Sequence, residues 1–291
     1  MAENVKSLRR RLRSIKNTKQ ITRAMEMVSA AKMKRAQDTL LAGRPYATKL
    51  QELLGRLAGS SAASHPFFSK RPVRKRVLVL VTADRGLAGS FNAQPIKRAE
   101  QLLKSYAEPT SLVLVGKKGY DYFKSRSYPV LFSLTDLGGK VSSDKTNELA
   151  EKLSDMFLSG EADEIVLVYN AFVSTLVFRT TVEKLMPLDP ADMLTSKSAT
   201  VSSAGKDYLL EPTSDQVFES LLPRYVKNRV YIMMAETFAA EHSARMVAMS
   251  GATKNCQELI ESVSLAMNKA RQAAITKEIL EIVGGAEALK G

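Results

Sequence analysis

The sequence predicts an α/β protein in which a long antiparallel coiled coil of the N- and C-terminal helices accompanies a Rossmann-like open α/β domain. Three observations carry this reading. Near the end of the chain, Met246, Met249, Thr253, Cys256, Ile260, Val263, Met267, Ala270 and Ala274 follow one another in alternating steps of three and four. A repeat of 3.5 residues keeps one face toward a partner helix and winds the pair left-handed. The N-terminal segment carries a stripe of the same kind. Between the two, short apolar runs alternate with helical stretches, as in a parallel sheet covered by helices.

The first helical segment, placed at residues 1–58, opens with Val5, Leu8, Leu12 and Ile15. Its stripe continues through Thr18, Thr22, Met25, Ser29 and Ala36, and Ile21 and Val28 are expected to widen the face around Met25. Helix formers fill the remaining positions, with no Gly or Pro before Gly43. Gly43-Arg44-Pro45 should bend the helix, which Leu50, Leu53, Leu54 and Leu57 then extend to about Ala58. Residues 59–72 read as a Ser/Ala/Pro linker.

The α/β domain is placed at 74–190. Val77-Leu78-Val79-Leu80-Val81 is a run suited to a strand buried on both faces. Residues 112–115 and 165–168 repeat the type, helices are expected near 93–107 and 143–159, and 172–185 reads as a further β segment. Residues 189–206 are polar and are expected to form a mobile loop. The last segment, 207–291, is entered through Thr213 and Gln216 at capping-box spacing, and Pro223 should kink it or mark a second start. From Arg224 to Val283 only Gly251 interrupts, which gives roughly 90 Å of helix at 1.5 Å per residue. So long an element is expected to protrude from any compact domain and to pair with the other end of the chain.

A chain of 291 residues can hold one large or two modest domains. Its net charge of +13 is unevenly spread. Residues 1–76 hold nineteen Lys or Arg against four Asp or Glu, a net of +15, which leaves −2 for the remainder. The basic residues crowd at 9–13 and 70–76 and imply an acidic partner. The single cysteine, Cys256, excludes an internal disulfide and suits a reducing compartment. No apolar run approaches the eighteen or so residues of a membrane span, and the N-terminus lacks the apolar core of a secretory signal. Its Arg-rich, acid-poor character is similar to that of a transit peptide, but the heptad already begins at Val5.

Chemistry is sparse. The loop Thr82-Ala83-Asp84-Arg85-Gly86-Leu87-Ala88-Gly89 follows the first strand, yet its glycines fit neither dinucleotide nor phosphate-loop spacing, and Gly138-Gly139-Lys140 fails likewise. Structural turns are the better reading of both. His65 and His242 lack neighbours at ligand spacing, so no metal site is expected. No nucleophile and base can be paired, and no catalytic or cofactor-binding residue is assigned. Two other classes stay open on these grounds. A nucleic-acid-binding coiled coil would use the basic N-terminal quarter, although interleaved aromatics are missing there. A nucleotide-dependent enzyme would be built on the α/β domain.

Three motifs narrow the choice. Ile275-Thr276-Lys277-Glu278, Glu281 and Gly285-Ala286 resemble the C-terminal signature of the gamma subunit of F-type ATP synthase. Asn17-Thr18-Lys19-Gln20-Ile21-Thr22, Ala24-Met25-Glu26-Met27-Val28 and Ala31-Lys32-Met33 resemble that family's N-terminal helix. Asp84-Arg85-Gly86-Leu87, Gly89 and Asn92 resemble its central loop, with Ala88 standing where many relatives carry Cys. The motifs occur in family order along essentially the whole chain.

The resemblance implies the central stalk of a rotary motor. Paired terminal helices would enter the hexamer of alpha and beta subunits, and the α/β domain would sit with the epsilon subunit on the ring of membrane c subunits. Ion flow would turn the ring, the shaft would drive the beta sites in sequence, and ATP chemistry would remain in the hexamer. It further implies no cofactor, no nucleic acid, and a peripheral membrane protein held through the c-ring on the cytoplasmic face of the bacterial inner membrane. Met25 would act as a packing pivot close to Arg245, and Arg271, Gln272, Thr276 and Glu278 would make polar contacts to the hexamer. Leu8, Leu12, Ile15, Met246, Met249, Ile260, Val263 and Met267 would form the coiled-coil seam.

Overall fold

The computed structural model describes residues 5–61, 65–189, 211 and 213–288. In chain order the elements are α1 (Val5–Ser61), a 3-10 turn (Pro66–Phe68), β1 (Arg76–Val81), α2 (Ala93–Ser105), β2 (Thr110–Val115) and α3 (Lys117–Phe123). They continue with β3 (Val130–Leu134), α4 (Ser143–Leu158), β4 (Glu164–Phe172), β5 (Phe178–Met186) and α5 (Ser214–Ala288). The chain divides into two compact units, one of Met1–Val28 with Met246–Gly291, the other of Ser29–Arg245.

In the first unit the ends of α1 and α5 pair antiparallel. Leu8, Thr22, Met249, Cys256 and Val263 are buried, while Leu12, Ile15, Met246, Ile260 and Met267 are half-buried on the same faces. Two polar contacts set the register. Thr253 Oγ1 donates to Thr22 Oγ1 at 2.8 Å, and Lys19 Nζ donates to Gln257 Oε1 at 2.6 Å. Lys19 precedes Thr22 while Gln257 follows Thr253, so the strands of the coil run in opposite directions. Thr18, expected in the stripe, is exposed, and Lys19 takes the slot between Ile15 and Thr22. Its aliphatic stem follows the seam while the ammonium reaches a polar partner.

Other sequence expectations are corrected here. Ile21 and Val28 do not widen the buried face, being 60% and 56% exposed. Two-helix pairing covers only a narrow stripe, so residues beside it stay outside. Ala274 is also exposed, as is every α5 residue from 271 to 286. Counting outward from Lys19 and Gln257, α1 reaches its first described turn at Val5 as α5 reaches about Ala270.

The second unit is built on a five-stranded sheet of order β3-β2-β1-β4-β5. β1 to β4 are parallel and β5 is antiparallel at one edge. Alternation along β1 separates two cores. Val77, Val79 and Val81 face a large cluster containing Leu149 and Phe157 of α4, Leu50 and Leu54 of α1, and Phe218, Val230 and Phe238 of α5. Leu78 and Leu80 face a smaller cluster with Ala99 of α2 and Phe123 of α3. Both faces of the central strand are dry from Val77 to Val81, and its sequence is accordingly apolar at each of those positions after Arg76.

α1 runs without interruption through Pro45, and α5 through Pro223. Each proline removes one backbone hydrogen bond, a cost of about 3 kcal/mol. Burial of Leu40, Leu50 and Leu54 around Pro45, and of Leu222, Tyr225 and Val226 around Pro223, offsets it. The start of α5 is capped as its sequence suggests, the Gln216 N–H donating to Thr213 Oγ1 at 3.3 Å. α1 ends three residues later than expected, and the presumed linker contains the turn Pro66–Phe68, which buries Phe67 and Phe68. The β segment foreseen at 172–185 is instead the end of β4, a turn, and β5. α3 and β3 were not foreseen, because seven and five residues are too few to display a period. Of the loop expected at 189–206, all but Asp189 lies outside the described residues.

Candidate functional site

The order of the sheet reverses beside β1, and the crevice beyond the strand ends there is where open α/β sheets take ligands. Here the protein fills it. Asp84 accepts from the backbone N–H of Lys117 (3.0 Å), Asp136 (3.2 Å) and Leu137 (2.6 Å), joining the loops after β1, β2 and β3. Asn92 Oδ1 accepts from the Ala83 N–H at 2.8 Å, and Asn170 of β4 donates to the Phe91 carbonyl at 2.7 Å. Phe91 is buried with its ring 5.6 Å from that of Phe178. The motif Asp84-Arg85-Gly86-Leu87 with Asn92 is therefore a structural knot at the C-terminal edge of the sheet. Leu87 leaves it in the left-handed region (φ 61°) with its side chain exposed.

α5 crosses this edge at residues 241–245. Arg245, 8% exposed, donates to Glu241 at 2.8 Å and to the Gly86 carbonyl at 3.2 and 3.3 Å. His242, which looks isolated in the sequence, bonds through Nε2 to the Gly139 carbonyl at 2.7 Å. A carbonyl only accepts, so Nε2 carries the proton, and Nδ1 faces Arg245 Nη1 at 3.4 Å. Ser243 Oγ donates to the Thr175 carbonyl at 2.5 Å. Gly139 has positive φ (69°), and a Cβ there would lie 2.9 Å from the imidazole and displace it.

Burial holds the His242 imidazole below its ordinary 6.5, Arg245 and Lys32 push the same way, and the Gly139 bond and Glu241 oppose them. Burial lowers His65 as well, against Glu219. The unfolded chain protonates these rings near 6.5 and the native fold only at lower pH, so protons favour unfolding in the interval between. Both rings are neutral above 6.5, where this stability is fully present; it is lost as pH falls through the lowered native values. Urea midpoints measured from pH 7.5 to 5.5 should therefore decline, and His242→Gln should flatten the slope. An unchanged slope in that variant would show that His242 contributes nothing to it.

The proposed seam residues come together in the first unit as described. Met25 is half-buried on the inner side of α1. Arg245 belongs to the second unit and Met25 to the first. Arg271, Gln272, Thr276 and Glu278 are all exposed on α5, where Thr276 Oγ1 donates to the Gln272 carbonyl at 3.0 Å. Sequence reasoning gave no site role to Ile275, Ile279, Leu280, Ile282 and Val283, which are also exposed on this segment. Ile275, Ile279 and Ile282 recur in steps of four and three, and that spacing was the available signal. Among the described residues, no group of three or more His, Cys, Asp or Glu could hold a metal ion, and no helix is long and apolar enough to cross a membrane.

A family model described as ATP synthase matches residues 4–289. The chain is 42% identical over 294 residues to the ATP synthase gamma chain of Symbiobacterium thermophilum, covering the whole of both. It superimposes with a TM-score of 0.61 on a chain from the central stalk and c-ring structure of the Tetrahymena thermophila mitochondrial ATP synthase. That pair is 25% identical and spans 80% of this chain and 99% of the other. A chain from the Euglena gracilis mitochondrial ATP synthase rotor shares the fold, with a TM-score of 0.64 at 18% identity over 93% and 98% of the two chains.

Proposed function

The chain belongs to the ATP synthase gamma chain family, and from that premise we propose that it is the central rotor stalk, carrying torque between the membrane c-ring and the alpha/beta hexamer. The observation that carries this reading is the end-to-end family match of a chain whose two ends pair antiparallel. A continuous packed seam resists shear between its helices, so twist applied at one end reaches the other. Moving one charge through 100 mV yields about 2.3 kcal/mol, so the shaft must sum several ion steps for each ATP.

In this reading residues 1–58 and 207–291 form the shaft, and 74–190 form the body that meets the epsilon subunit and the c-ring. The shaft must be one-sided, because a contact equal for all three beta sites would favour none of them. The exposed α5 segment from 271 supplies such a side, with Arg271, Gln272, Thr276 and Glu278 as its polar contacts and Met25 as a pivot at the seam. Exposed ion pairs of about 0–1 kcal/mol suit contacts that break at every step. The subunit itself is non-catalytic, with its strand-end crevice taken up by Asp84 and Phe91. It is held through the c-ring on the cytoplasmic face of the bacterial plasma membrane.

Mixing the purified chain with alpha and beta subunits tests the reading. One copy should enter each hexamer and rotate during ATP hydrolysis. Failure to enter, or a hexamer that hydrolyses ATP while the chain stays still, would overturn it.

A further inference from the structure

We propose that the single turn 241–245 of α5 is a clutch, the place where the α/β body grips the shaft helix against rotation. The inference rests on the rotor reading and adds to it where torque passes between sheet and helix. Three successive polar side chains of this turn bond three different loops. His242 takes the Gly139 carbonyl after β3, Ser243 the Thr175 carbonyl after β4, and Arg245 the Gly86 carbonyl after β1. Glu241 braces the Arg245 guanidinium from one turn earlier.

The arrangement suits resistance to twist. Apolar packing, which holds most of α5 on the sheet, is non-directional and fixes no bond angle. Hydrogen bonds to fixed carbonyls are directional and weaken steeply when bent. The three acceptors belong to strands spread over three inter-strand spacings, β3 to β4 in the order β3-β2-β1-β4. At about 4.8 Å per spacing the grip is roughly 14 Å wide, so rotation of α5 loads the bonds through a lever arm. Two of the acceptor loops are themselves tied together, because Asp84 joins the loop after β1 to the loop after β3. Elsewhere on α5, Lys227–Glu151 and Arg229–Glu183 join it to one element each, and the first of these is exposed.

The test uses the assembled complex with a viscous load attached to an exposed α2 position, Lys104→Cys. His242→Phe with Ser243→Ala removes two donors while keeping most of the packing. Loaded rotation of the body should stall in this variant while ATP hydrolysis continues. His242→Gln with Ser243→Thr keeps a donor at each site and should carry the load as the parent does. Hydrogen exchange on the full chain gives a second readout, with amides at 138–140 and 174–177 quickening about tenfold in the donor-less variant. Should that variant fold poorly, Ser243→Ala alone should lose part of the loaded rotation. A donor-less variant that holds the load like the parent overturns the clutch and leaves the rotor reading intact. A parent that never rotates overturns both.

Discussion

Gly116→Ala should abolish the native α/β sheet. Gly116 links β2 to α3 with φ at +90°, and its N–H donates to the Leu134 carbonyl at 2.8 Å. A Cβ added there would lie 2.0 Å from the Thr82 carbonyl oxygen and 2.6 Å from its carbon. Those atoms are backbone at the end of the central strand and cannot turn aside as a side chain would. The left-handed backbone alone costs a non-glycine residue about 1–3 kcal/mol, and the clash adds more. A total above about 5 kcal/mol would consume most of the stability of an ordinary domain. Gly138→Ala is the matched control, since Gly138 also has positive φ (68°) but open space around its Cβ position. It should cost only about 1 kcal/mol. Soluble yield and urea unfolding of the two variants check this. Equal losses would mean that the close approach of Gly116 to Thr82 does not exist in solution.

Arg245→Ala should destabilise the protein by about 3–5 kcal/mol, the usual penalty for leaving one member of a buried ion pair behind. Glu241, 4% exposed, would lose the guanidinium that now sits 2.8 Å from its carboxylate. The Gly86 carbonyl would lose its donors in the same step. Removing both charges, as Glu241→Gln with Arg245→Met, should recover much of the loss, because an uncompensated buried charge costs more than an absent pair. A double-mutant cycle by chemical denaturation measures the coupling. If the double variant were as unstable as the sum of the two single ones, the pair would have no energetic meaning and Arg245 would act through packing alone.

Much of the fold was legible because it is periodic. Leu8, Leu12 and Ile15 against Met267, Val263 and Ile260 announce a pair of helices, and the uninterrupted apolar run of β1 announces a strand dry on both faces. Periodicity fails where an element is short, as in α3 and β3, or where a polar residue takes an apolar slot, as Lys19 does. It also failed to limit the width of the buried face, so Ile21 and Val28 were placed inside when they lie outside. The knot and the grip were invisible for another reason. Asp84 bonds a backbone 53 residues away, His242 one 103 away and Arg245 one 159 away, and nothing local marks such pairs.

What the chain determined by itself is therefore its family, the identity of most helices and strands, and the faces along which its two ends meet. These depend on residue types repeating every two or 3.5 positions, information each segment carries alone. The tertiary structure decided which loops gather at the C-terminal edge of the sheet and which side chains of α5 they hold. Parallel strands joined by crossover helices bring their ends together only after the whole sheet has formed, so those contacts exist in the assembled fold and in no single stretch of sequence.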